Sequence, residues 1–560
     1  MNTAELDRAI AELGAGSERW VASTLAARAE LLACTRASVA GEAERWVAAA
    51  ARAKGLDPSS PLIGEEWLTG PYGVLTSLTA LGRTLRTFAL GRNPLAGRWF
   101  GRAPGGRVTV AVLPHNRYDG LLLHGFTARA WLRPGITRAQ ARARAGLGQL
   151  TPTARAGVGL VLGAGNITSI APLDVLYELV AHNRVSILKL NPTFDGLLPI
   201  YRAALAPLIE QGLLRIVTGG ADVGDYLAHH PGISHVHITG SAGTHDAIVF
   251  GGSDSPRLDK PISSELGGVS PIIVLPGRWS ARDLRYQADH VATMRLHNGG
   301  YNCIAGQVLL VSSAWPQKAA FLDAVAAALA TASARPAWYP GSEERMRAAR
   351  AAYPSARTIP GGRLIVAAAD AAVGTAFASA EDMLTTEYFA PVLGVLELPG
   401  SGQAFLDTAV ATVNRDFLGT LGVNILGLPG TIRRLGPEFG LAVARLRYGT
   451  IAINAWTGVG FLSAAVPWGA FPGHTLEKIG SGLGVVHNAL LLDEVERTVV
   501  RGPFRPFPRS LVHGEWALLP KPPWFVSARS GARTARLLTE FAAEPSARKL
   551  PRILAAAFRA

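Results

Sequence analysis

The residue best able to do covalent chemistry is Cys303. The chain has two cysteines, Cys34 and Cys303, and Cys303 lies in a turn-rich segment, residues 298–306, that runs into an apolar strand. Small residues on both sides leave its sulfur accessible, and backbone amides of the turn could lower its pKa and hold a developing oxyanion. A buried structural cysteine is the alternative.

Two polar side chains stand at the ends of predicted strands. Asn166 lies in the segment GAGNIT, residues 163–168, where a dinucleotide fingerprint would stand, although Thr168 replaces its third glycine. Lys189 ends the next strand in a chain that carries most of its positive charge as arginine. An ordinary tight turn and a solvated lysine are the respective alternatives.

Two further segments combine polar and small residues. Glu265 precedes Leu266 and two glycines, a place where a carboxylate comes close to another backbone or to a ligand. A solvated loop glutamate is the alternative. Gly240 and Ser241 close another predicted strand, and the N–H groups of the following turn could meet a pyrophosphate.

A parallel sheet would bring these residues together. Short β-branched runs alternate with helical stretches from Arg107 onward, and a second such series follows Glu265. The alternation predicts an α/β fold with two domains and mainly parallel sheets. The first fifty residues predict packed helices, with Leu6, Ile10 and Leu13 on one face. The predicted strands are residues 107–113, 157–163, 185–190, 213–219, 234–240, 271–276, 306–313, 362–369, 392–399 and 418–427.

Composition limits the classes of function. The chain has 560 residues, a net charge of +14 and only 17% charged residues, which argues against a nucleic-acid-binding polyelectrolyte. Two cysteines without metal spacing predict neither a disulfide framework nor a metal site, and they favour a reducing cytoplasm. Residues 449–475 lack charged side chains, but their glycines and prolines favour a buried strand and loop over a transmembrane helix.

One thiol, one amide, one isolated carboxylate and a nucleotide-type sheet are the parts needed to oxidise an aldehyde. Their order and spacing resemble the aldehyde dehydrogenase superfamily from about residue 100 to residue 490. The resemblance implies an aldehyde dehydrogenase-like α/β fold, with two Rossmann-type α/β domains and a small oligomerisation element. The matching positions are Asn166, Lys189, Gly240-Ser241, Glu265-Leu-Gly-Gly, Cys303 and Glu387-Tyr-Phe389-Ala-Pro.

The resemblance implies a role for each catalytic position. Cys303 would attack the aldehyde to form a thiohemiacetal, while the amide of Asn166 and the backbone N–H of Cys303 hold the oxyanion. Hydride transfer would leave a thioester, which a water activated by Glu265 hydrolyses to the acid. Retention of Glu265 argues against the alternative of an enzyme that makes or reduces acyl-coenzyme A. A non-catalytic assembly protein of the same fold is a remote alternative.

The resemblance also implies NAD or NADP as the cofactor. Its contacts would be Lys189, Gly240, Ser241, Leu266, Gly267, Glu387 and Phe389. Family members commonly carry a glutamate three residues after the lysine, where this chain has Pro192. Without that carboxylate we expect NADP to be accepted as well as or better than NAD, with Lys189 contributing attraction for the 2′-phosphate. Ile167 follows the oxyanion asparagine, where an aromatic residue is common, and this permits an aliphatic substrate tunnel.

The predicted organisation has four parts. Residues 1–269 form a helical segment and the nucleotide-binding domain, and residues 270–475 form the catalytic domain, whose stretch 449–475 lines the substrate entrance with Asn454, Trp456, Phe461 and Phe471. Residues 476–500 form an oligomerisation arm and the return to the nucleotide-binding domain, and the arm implies a homodimer or homotetramer. Residues 501–560 form a basic extension rich in proline and aromatic residues.

The extension carries a net charge of +8 and has two interpretations. In the favoured one its aromatic residues pack over the enzyme's own subunit interface while its arginines stay solvated. In the other it contacts a membrane surface weakly.

Overall fold

The computed structural model describes residues 2–151, 156–367 and 380–559. Two helices open the chain as predicted: a capping box between Asn2 and Glu5 starts the first, and the Thr24 side chain caps the second. The helices are α1 (Thr3–Ala22), α2 (Leu25–Ala53), α3 (Ile63–Trp67), α4 (Gly73–Ala89), α5 (Arg117–Leu122), α6 (Arg138–Arg144), α7 (Ile170–His182), α8 (Leu198–Ala204), α9 (Ala206–Glu210), α10 (Ala221–His229), α11 (Ala242–Val249), α12 (Ala281–Leu296), α13 (Lys318–Thr331), α14 (Ser342–Ala352), α15 (Ala380–Thr385), α16 (Gly402–Asp416), α17 (Pro429–Leu435), α18 (Pro437–Arg445), α19 (Thr457–Leu462), α20 (Arg509–Val512), α21 (Gly531–Ala543) and α22 (Leu550–Ala557).

The strands form two main sheets. They are β1 (Phe100–Ala103), β2 (Arg107–Leu113), β3 (Thr127–Leu132), β4 (Gly157–Leu162), β5 (Arg184–Lys189), β6 (Leu214–Val217), β7 (His235–Gly240), β8 (Ile262–Leu266), β9 (Ser270–Val274), β10 (Gly306–Ser312), β11 (Arg357–Ile359), β12 (Arg363–Ala367), β13 (Val392–Leu398), β14 (Gly422–Leu426), β15 (Thr450–Ile453), β16 (Trp468–Gly469), β17 (Gly482–Leu483), β18 (Val485–His487) and β19 (Val495–Arg501). Each predicted strand coincides with an observed one, although residues 368–369 lie outside the described ranges.

The smaller sheet has the order β17-β8-β7-β4-β5-β6 and is parallel except for β17. Its strands are runs of buried Val, Ile and Leu because helices cover both faces. Helices α1, α2 and α4 share this core. The predicted α/β class with mainly parallel sheets is confirmed.

The larger sheet has the order β1-β2-β3-β19-β15-β14-β9-β10-β13-β12-β11. The chain passes from the smaller sheet to this one between β8 and β9. Strands β1 to β3 precede the smaller sheet in sequence, yet they join the larger one, antiparallel to each other and to β19. Strand β19 pairs in parallel with β15 of its own chain.

Residues 449–475 contain β15, α19 and β16 and are largely buried, as predicted. Within the described ranges, no helix combines the length and apolarity needed to cross a bilayer.

The C-terminal extension packs on the rest of the chain. Phe504 meets the edge of Trp279, and Phe525 stacks on Tyr286. The expectation of solvated arginines is wrong for Arg505, which is 7% exposed and forms a salt bridge with Asp283. It is also wrong for Arg509, which pairs with the same carboxylate. The acidic first turn of α12 is the physical reason, because it offers the arginines a buried partner.

Candidate active site

Cys303 lies in the turn between α12 and β10 and is partly exposed. Its side chain faces a small, almost wholly apolar cavity. Ile167, beside the predicted oxyanion asparagine, contributes to this apolar wall. The cavity is lined by Thr69, Asn166, Ile167, Ile170, His297, Asn302, Cys303, Ile304, Trp456, Gly458, Phe461 and Leu462.

The central polar contact joins Cys303 to Glu265. The Cys303 Sγ donates to Glu265 Oε1 at 3.3 Å, and the indole Nε1 of Trp468 donates to the same oxygen at 3.1 Å. Glu265 is 1% exposed, and its Oε2 has no hydrogen-bond partner within the described ranges. Strand β8 places the carboxylate there, with Thr239 and Gly482 opposite it in the neighbouring strands.

Burial sets the electrostatics of this site. It raises the pKa of Glu265 to about 7, since a charged carboxylate loses its hydration there. Burial, Glu265 and Glu387 together raise the pKa of the Cys303 thiol well above its usual range. The resting pair is therefore a protonated thiol beside a carboxylate that is close to half-ionised at neutral pH.

Asn166 lies at the carboxyl end of β4, and its side chain faces the same cavity. Its Nδ2 donates one hydrogen bond to Tyr301 O, at 3.0 Å, which leaves a second amide hydrogen for another acceptor. Asn298 ties this arrangement together, because its Nδ2 donates to Asn166 O and to Tyr301 O.

A set of buried charges lies behind the Cys303 turn, here called the Asn298 network: Asn298, Lys54, Glu65, Glu66 and Arg335. Glu65 Oε2 accepts from the Asn298 N–H at 2.8 Å, and Lys54 Nζ donates to Asn298 Oδ1 at 3.0 Å. Lys54 and Glu66 pair at 2.9 Å with side-chain exposures of 0% and 1%. Arg335 bridges both glutamates. The N-terminal helices thereby hold the turn that carries the thiol.

Glu387 reaches the site from the loop after α15. Its carboxylate lies against Gly267, where an added Cβ would come within 2.0 Å of Glu387 Oε2. Burial raises its pKa to about 8, and its Oε1 has no partner within the described ranges. Phe389 follows in a left-handed conformation, with φ 46°, and packs against Tyr339. Leu266 is buried beside them.

Lys189, Gly240 and Ser241 lie along the carboxyl edge of the smaller sheet. Burial lowers the pKa of Lys189, while Asp195 and Asp222 act to raise it. Gly240 and Ser241 are exposed, and the Ser241 side chain caps α11. These residues stand apart from the Cys303 cavity, whose lining includes none of them.

Sequence analysis missed several supporting residues. Trp468 contacts Glu265 from a strand of two residues, and the Asn298 network joins side chains more than 200 positions apart. The rarity of lysine was the one signal at Lys54. Of the residues expected at the entrance, Trp456 and Phe461 line the Cys303 cavity, whereas Asn454 bonds to Gly427.

Phe471, also expected at the entrance, lies under the Arg497 guanidinium and is absent from the lining of the cavity.

Comparison with protein families and curated proteins links part of the chain to one family. Residues 195–343 match the model of the aldehyde dehydrogenase family. The chain is 32% identical over 103 residues to N-succinylglutamate 5-semialdehyde dehydrogenase of Sphingopyxis alaskensis, covering 18% of this chain and 20% of that protein. It is 47% identical over 67 residues to the chloroplastic betaine aldehyde dehydrogenase of Beta vulgaris, covering 12% and 13%. The matches thus span a fifth or less of these relatives.

Solved structures extend the likeness to the whole fold. NADP-dependent glyceraldehyde-3-phosphate dehydrogenase from Bacillus halodurans, complexed with NADP, has a TM-score of 0.60 at 18% identity, covering 90% of this chain and 92% of that one. The aldehyde dehydrogenase KauB from Pseudomonas aeruginosa has a TM-score of 0.58 at 18% identity, covering 89% and 88%. The resemblance to the aldehyde dehydrogenase superfamily is confirmed, and the chain has the fold of that superfamily.

Proposed function

We propose that this protein is an NAD(P)-dependent aldehyde dehydrogenase that oxidises an aldehyde to a carboxylic acid through a cysteine thioester. The 3.3 Å contact between Cys303 Sγ and Glu265 Oε1 carries the proposal, because it pairs a nucleophile that lines an apolar cavity with a buried base behind it. We also propose that the nucleotide-binding domain ends and the catalytic domain begins at about residue 270. Asn166 of the first domain and Cys303 of the second then face each other.

The first step is addition of the Cys303 sulfur to the aldehyde carbon. Glu265 takes the thiol proton, and its pKa of about 7 suits it to do so at neutral pH. The carbonyl oxygen becomes an oxyanion, held by the free amide hydrogen of Asn166 and by the backbone N–H of Cys303. The product is a thiohemiacetal on Cys303.

The cofactor residues fit a nicotinamide dinucleotide. Glu387 Oε1 is buried with no partner among the described residues and can accept from a ribose hydroxyl. Lys189, Gly240 and Ser241 suit the adenosine and pyrophosphate end. Leu266, Gly267 and Phe389 would border the nicotinamide. When bound, NAD or NADP supplies the hydride acceptor that turns the thiohemiacetal into a thioester.

The choice between NAD and NADP rests on carboxylates near Lys189. Pro192 removes the glutamate common in the family, but Asp195 and Asp222 lie close enough to act on the Lys189 charge. A carboxylate there would bind ribose hydroxyls and repel a 2′-phosphate. We propose that the protein accepts both cofactors, with Lys189 as the group that attracts the 2′-phosphate of NADP.

Hydrolysis of the thioester completes the cycle. Glu265 first releases the thiol proton to solvent. Its Oε2, which has no partner within the described ranges, then accepts a proton from the water that attacks the thioester carbon. The carbon–sulfur bond then breaks, the acid leaves, and the sulfur regains a proton. Coenzyme A could replace water in this step, but a base placed beside the sulfur favours water.

The test is Glu265→Gln, followed by stopped-flow absorbance of reduced cofactor and by mass spectrometry of the intact protein. We expect a burst of one equivalent of reduced cofactor, slower than in wild type because Glu265 also takes the thiol proton, and accumulation of an acyl-enzyme because hydrolysis stalls. Glu477→Gln, an exposed control, should turn over like wild type. Undiminished steady-state hydrolysis in Glu265→Gln would falsify its role as the base.

Addition of coenzyme A to the same assay separates the alternatives. An acyl-coenzyme A product would favour the acylating enzyme, and absence of turnover with every aldehyde and both cofactors would favour the non-catalytic protein.

We also propose, from the family resemblance, a cytoplasmic homodimer or homotetramer. Both cysteines are free, in keeping with a reducing compartment. Because β19 completes the sheet of its own chain, pairing of residues 476–500 between subunits would require exchange of that strand. Weak membrane contact by the extension would use Trp516 and Phe558, which are 78% and 50% exposed. Light scattering and vesicle sedimentation test these two points.

A further inference from the structure

A second, larger cavity lies next to the Cys303 cavity. It has a volume of about 480 Å³, and Leu462 lines both cavities, so the two lie on either side of this side chain. Its walls come from α4, from the segment 112–123 and from the C-terminal extension. Phe541 and Ala542 of α21 close its outer side.

Helix α4 gives the cavity its length. Tyr72, just before the helix, and Thr76, Thr79 and Arg83 line the wall at spacings of three and four residues, which places them on one helix face. At 1.5 Å per residue, this face runs for about 16 Å. Thr69, three residues before Tyr72 and on the other side of the kink at Gly70, lines the Cys303 cavity. A molecule bound at Cys303 could therefore extend along α4 for three turns.

The far end of this cavity carries an unused hydrogen-bond donor on His115. Arg98 Nη2 donates to His115 Nδ1 at 2.7 Å, and an arginine can only donate, so Nδ1 accepts and the ring hydrogen is on Nε2. Burial, with Arg98 and Arg83, lowers the pKa of His115 to about 3, which keeps the ring neutral. Its Nε2 is buried and has no partner within the described ranges. His115 also lines the cavity.

Positive charge predominates at the same end. Arg98 bonds only to His115 and to the Pro114 carbonyl, and the structure gives it no salt bridge in the described part of the chain. Burial and Arg83 lower its pKa. Asp119 is the one carboxylate in the lining; its Oδ2 accepts from the His115 N–H, and burial raises its pKa. An anion here would contact Arg83 directly and would feel the Arg98 charge through the His115 ring.

We propose that this cavity binds the distal end of the substrate, and that the substrate is an aldehyde on an extended apolar chain that ends in a carboxylate. The aldehyde lies at Cys303, the chain passes Leu462 and follows α4, and the carboxylate meets Arg83 and the His115 Nε2–H, with the Arg98 charge behind the His115 ring. The inference rests on the proposed function, and it gives the C-terminal extension a part in specificity, since α21 supplies the outer wall.

The test compares two aldehydes of equal chain length, 12-oxododecanoate and dodecanal, by kcat/KM. Wild type should prefer the carboxylate at least tenfold, and Arg83→Ala should lower that ratio at least tenfold. Arg83 is exposed on a helix, so its replacement by alanine leaves folding intact. Arg86→Ala, on the same helix and absent from the lining, should keep the wild-type ratio. Equal use of the two aldehydes by wild type would overturn the inference.

Binding of dodecanedioate, measured by calorimetry, separates this inference from the proposed function. If no aldehyde is oxidised, the proposed function fails, while a dissociation constant that rises at least tenfold in Arg83→Ala and stays unchanged in Arg86→Ala still supports the cavity site. Absence of dodecanedioate binding to wild type, or equal binding by Arg83→Ala, overturns the site whatever the activity.

Discussion

Two groups of buried ionisable residues face the turn that carries Cys303, and they differ in how their charges are matched. In the Asn298 network, Lys54 and Arg335 pair with Glu65 and Glu66. In the second group, here called the Cys303 cluster, Cys303, Glu265 and Glu387 lie together without a salt bridge in the described ranges. Matched charges hold a loop in place, whereas unmatched acids with raised pKa values can exchange protons near neutral pH.

The largest expected effect comes from removing the sulfur of the Cys303 cluster. Cys303→Ala should lower kcat for aldehyde oxidation by about 10⁴-fold or more, because the covalent step has no substitute. Titration by protein fluorescence should show that NAD or NADP still binds. Cys34→Ala, which alters an exposed cysteine in α2, is the matched control. A dead Cys34 variant beside an active Cys303 variant would reverse the assignment.

Breaking the Asn298 network should act on stability first. Lys54→Met leaves the buried Glu66 carboxylate with one cationic partner fewer. This should lower the free energy of unfolding by about 3–5 kcal/mol. Denaturant titration followed by fluorescence measures it. Adding Glu66→Gln should recover part of the loss, because the second substitution removes the stranded charge. Equal stability of wild type and Lys54→Met would show that the network does not hold the turn.

The Cys303 cluster should make stability depend on pH. Burial raises the folded-state pKa of Glu265 from its ordinary value of 4.5 to about 7, so the folded protein retains a proton that the unfolded chain has lost. The contribution of Glu265 to the free energy of unfolding is complete below about pH 4.5. It falls as the pH rises through 7, by at most about 1.4 kcal/mol per pH unit.

Glu265→Gln mimics the protonated form and should remove that fall. Thermal unfolding of both proteins between pH 5 and pH 8 checks the expectation: the Tm difference should be near zero at the acid end and should favour the variant at pH 8. A constant difference across the range would contradict the raised pKa.

The smallest effect is expected at an exposed ion pair. Arg347 and Glu344 pair at 3.1 Å on α14 with side-chain exposures of 74% and 66%. Arg347→Ala should change the free energy of unfolding by less than about 1 kcal/mol. Denaturant titration of Arg347→Ala and Lys54→Met under the same conditions compares their losses of unfolding free energy. A much larger loss in Lys54→Met shows that burial of the ion pair, and not charge pairing alone, is the source of the effect.

Local patterns in the sequence predicted much of the fold. Runs of β-branched residues identified β2, β4 to β7 and the core strands of the larger sheet, because a buried strand must be apolar on both faces. The partners of β3 and β19 could not be predicted, since pairing across hundreds of residues leaves no local signature. The two-residue strand β16, which positions Trp468 against Glu265, is too short to show a pattern.

The site divides in the same way. The catalytic roles of Cys303, Glu265 and Asn166 were predicted from their setting in the sequence and from the family resemblance, and the structure brings these three residues together. The contacts around them depend on tertiary packing: Lys54 lies at the end of α2, and nothing near it in sequence indicates that it meets Asn298. Likewise, His115 gains its unpaired donor only through Arg98, on a different segment.

Strand β19 also constrains the order of synthesis and folding. Strands β1 to β3 join the rest of the larger sheet only through β19, whose residues are translated about 360 positions after Leu132. At 5–20 residues per second, a ribosome needs roughly 20–70 s to cover that distance. During this interval β3 presents an open strand edge, and β15, which is translated about 40 positions before β19, presents another only near the end. Open edges are sites of aberrant pairing on a nascent chain. Completion of the larger sheet is thus a late event in synthesis, and until then the topology leaves the edge of β3 unpaired.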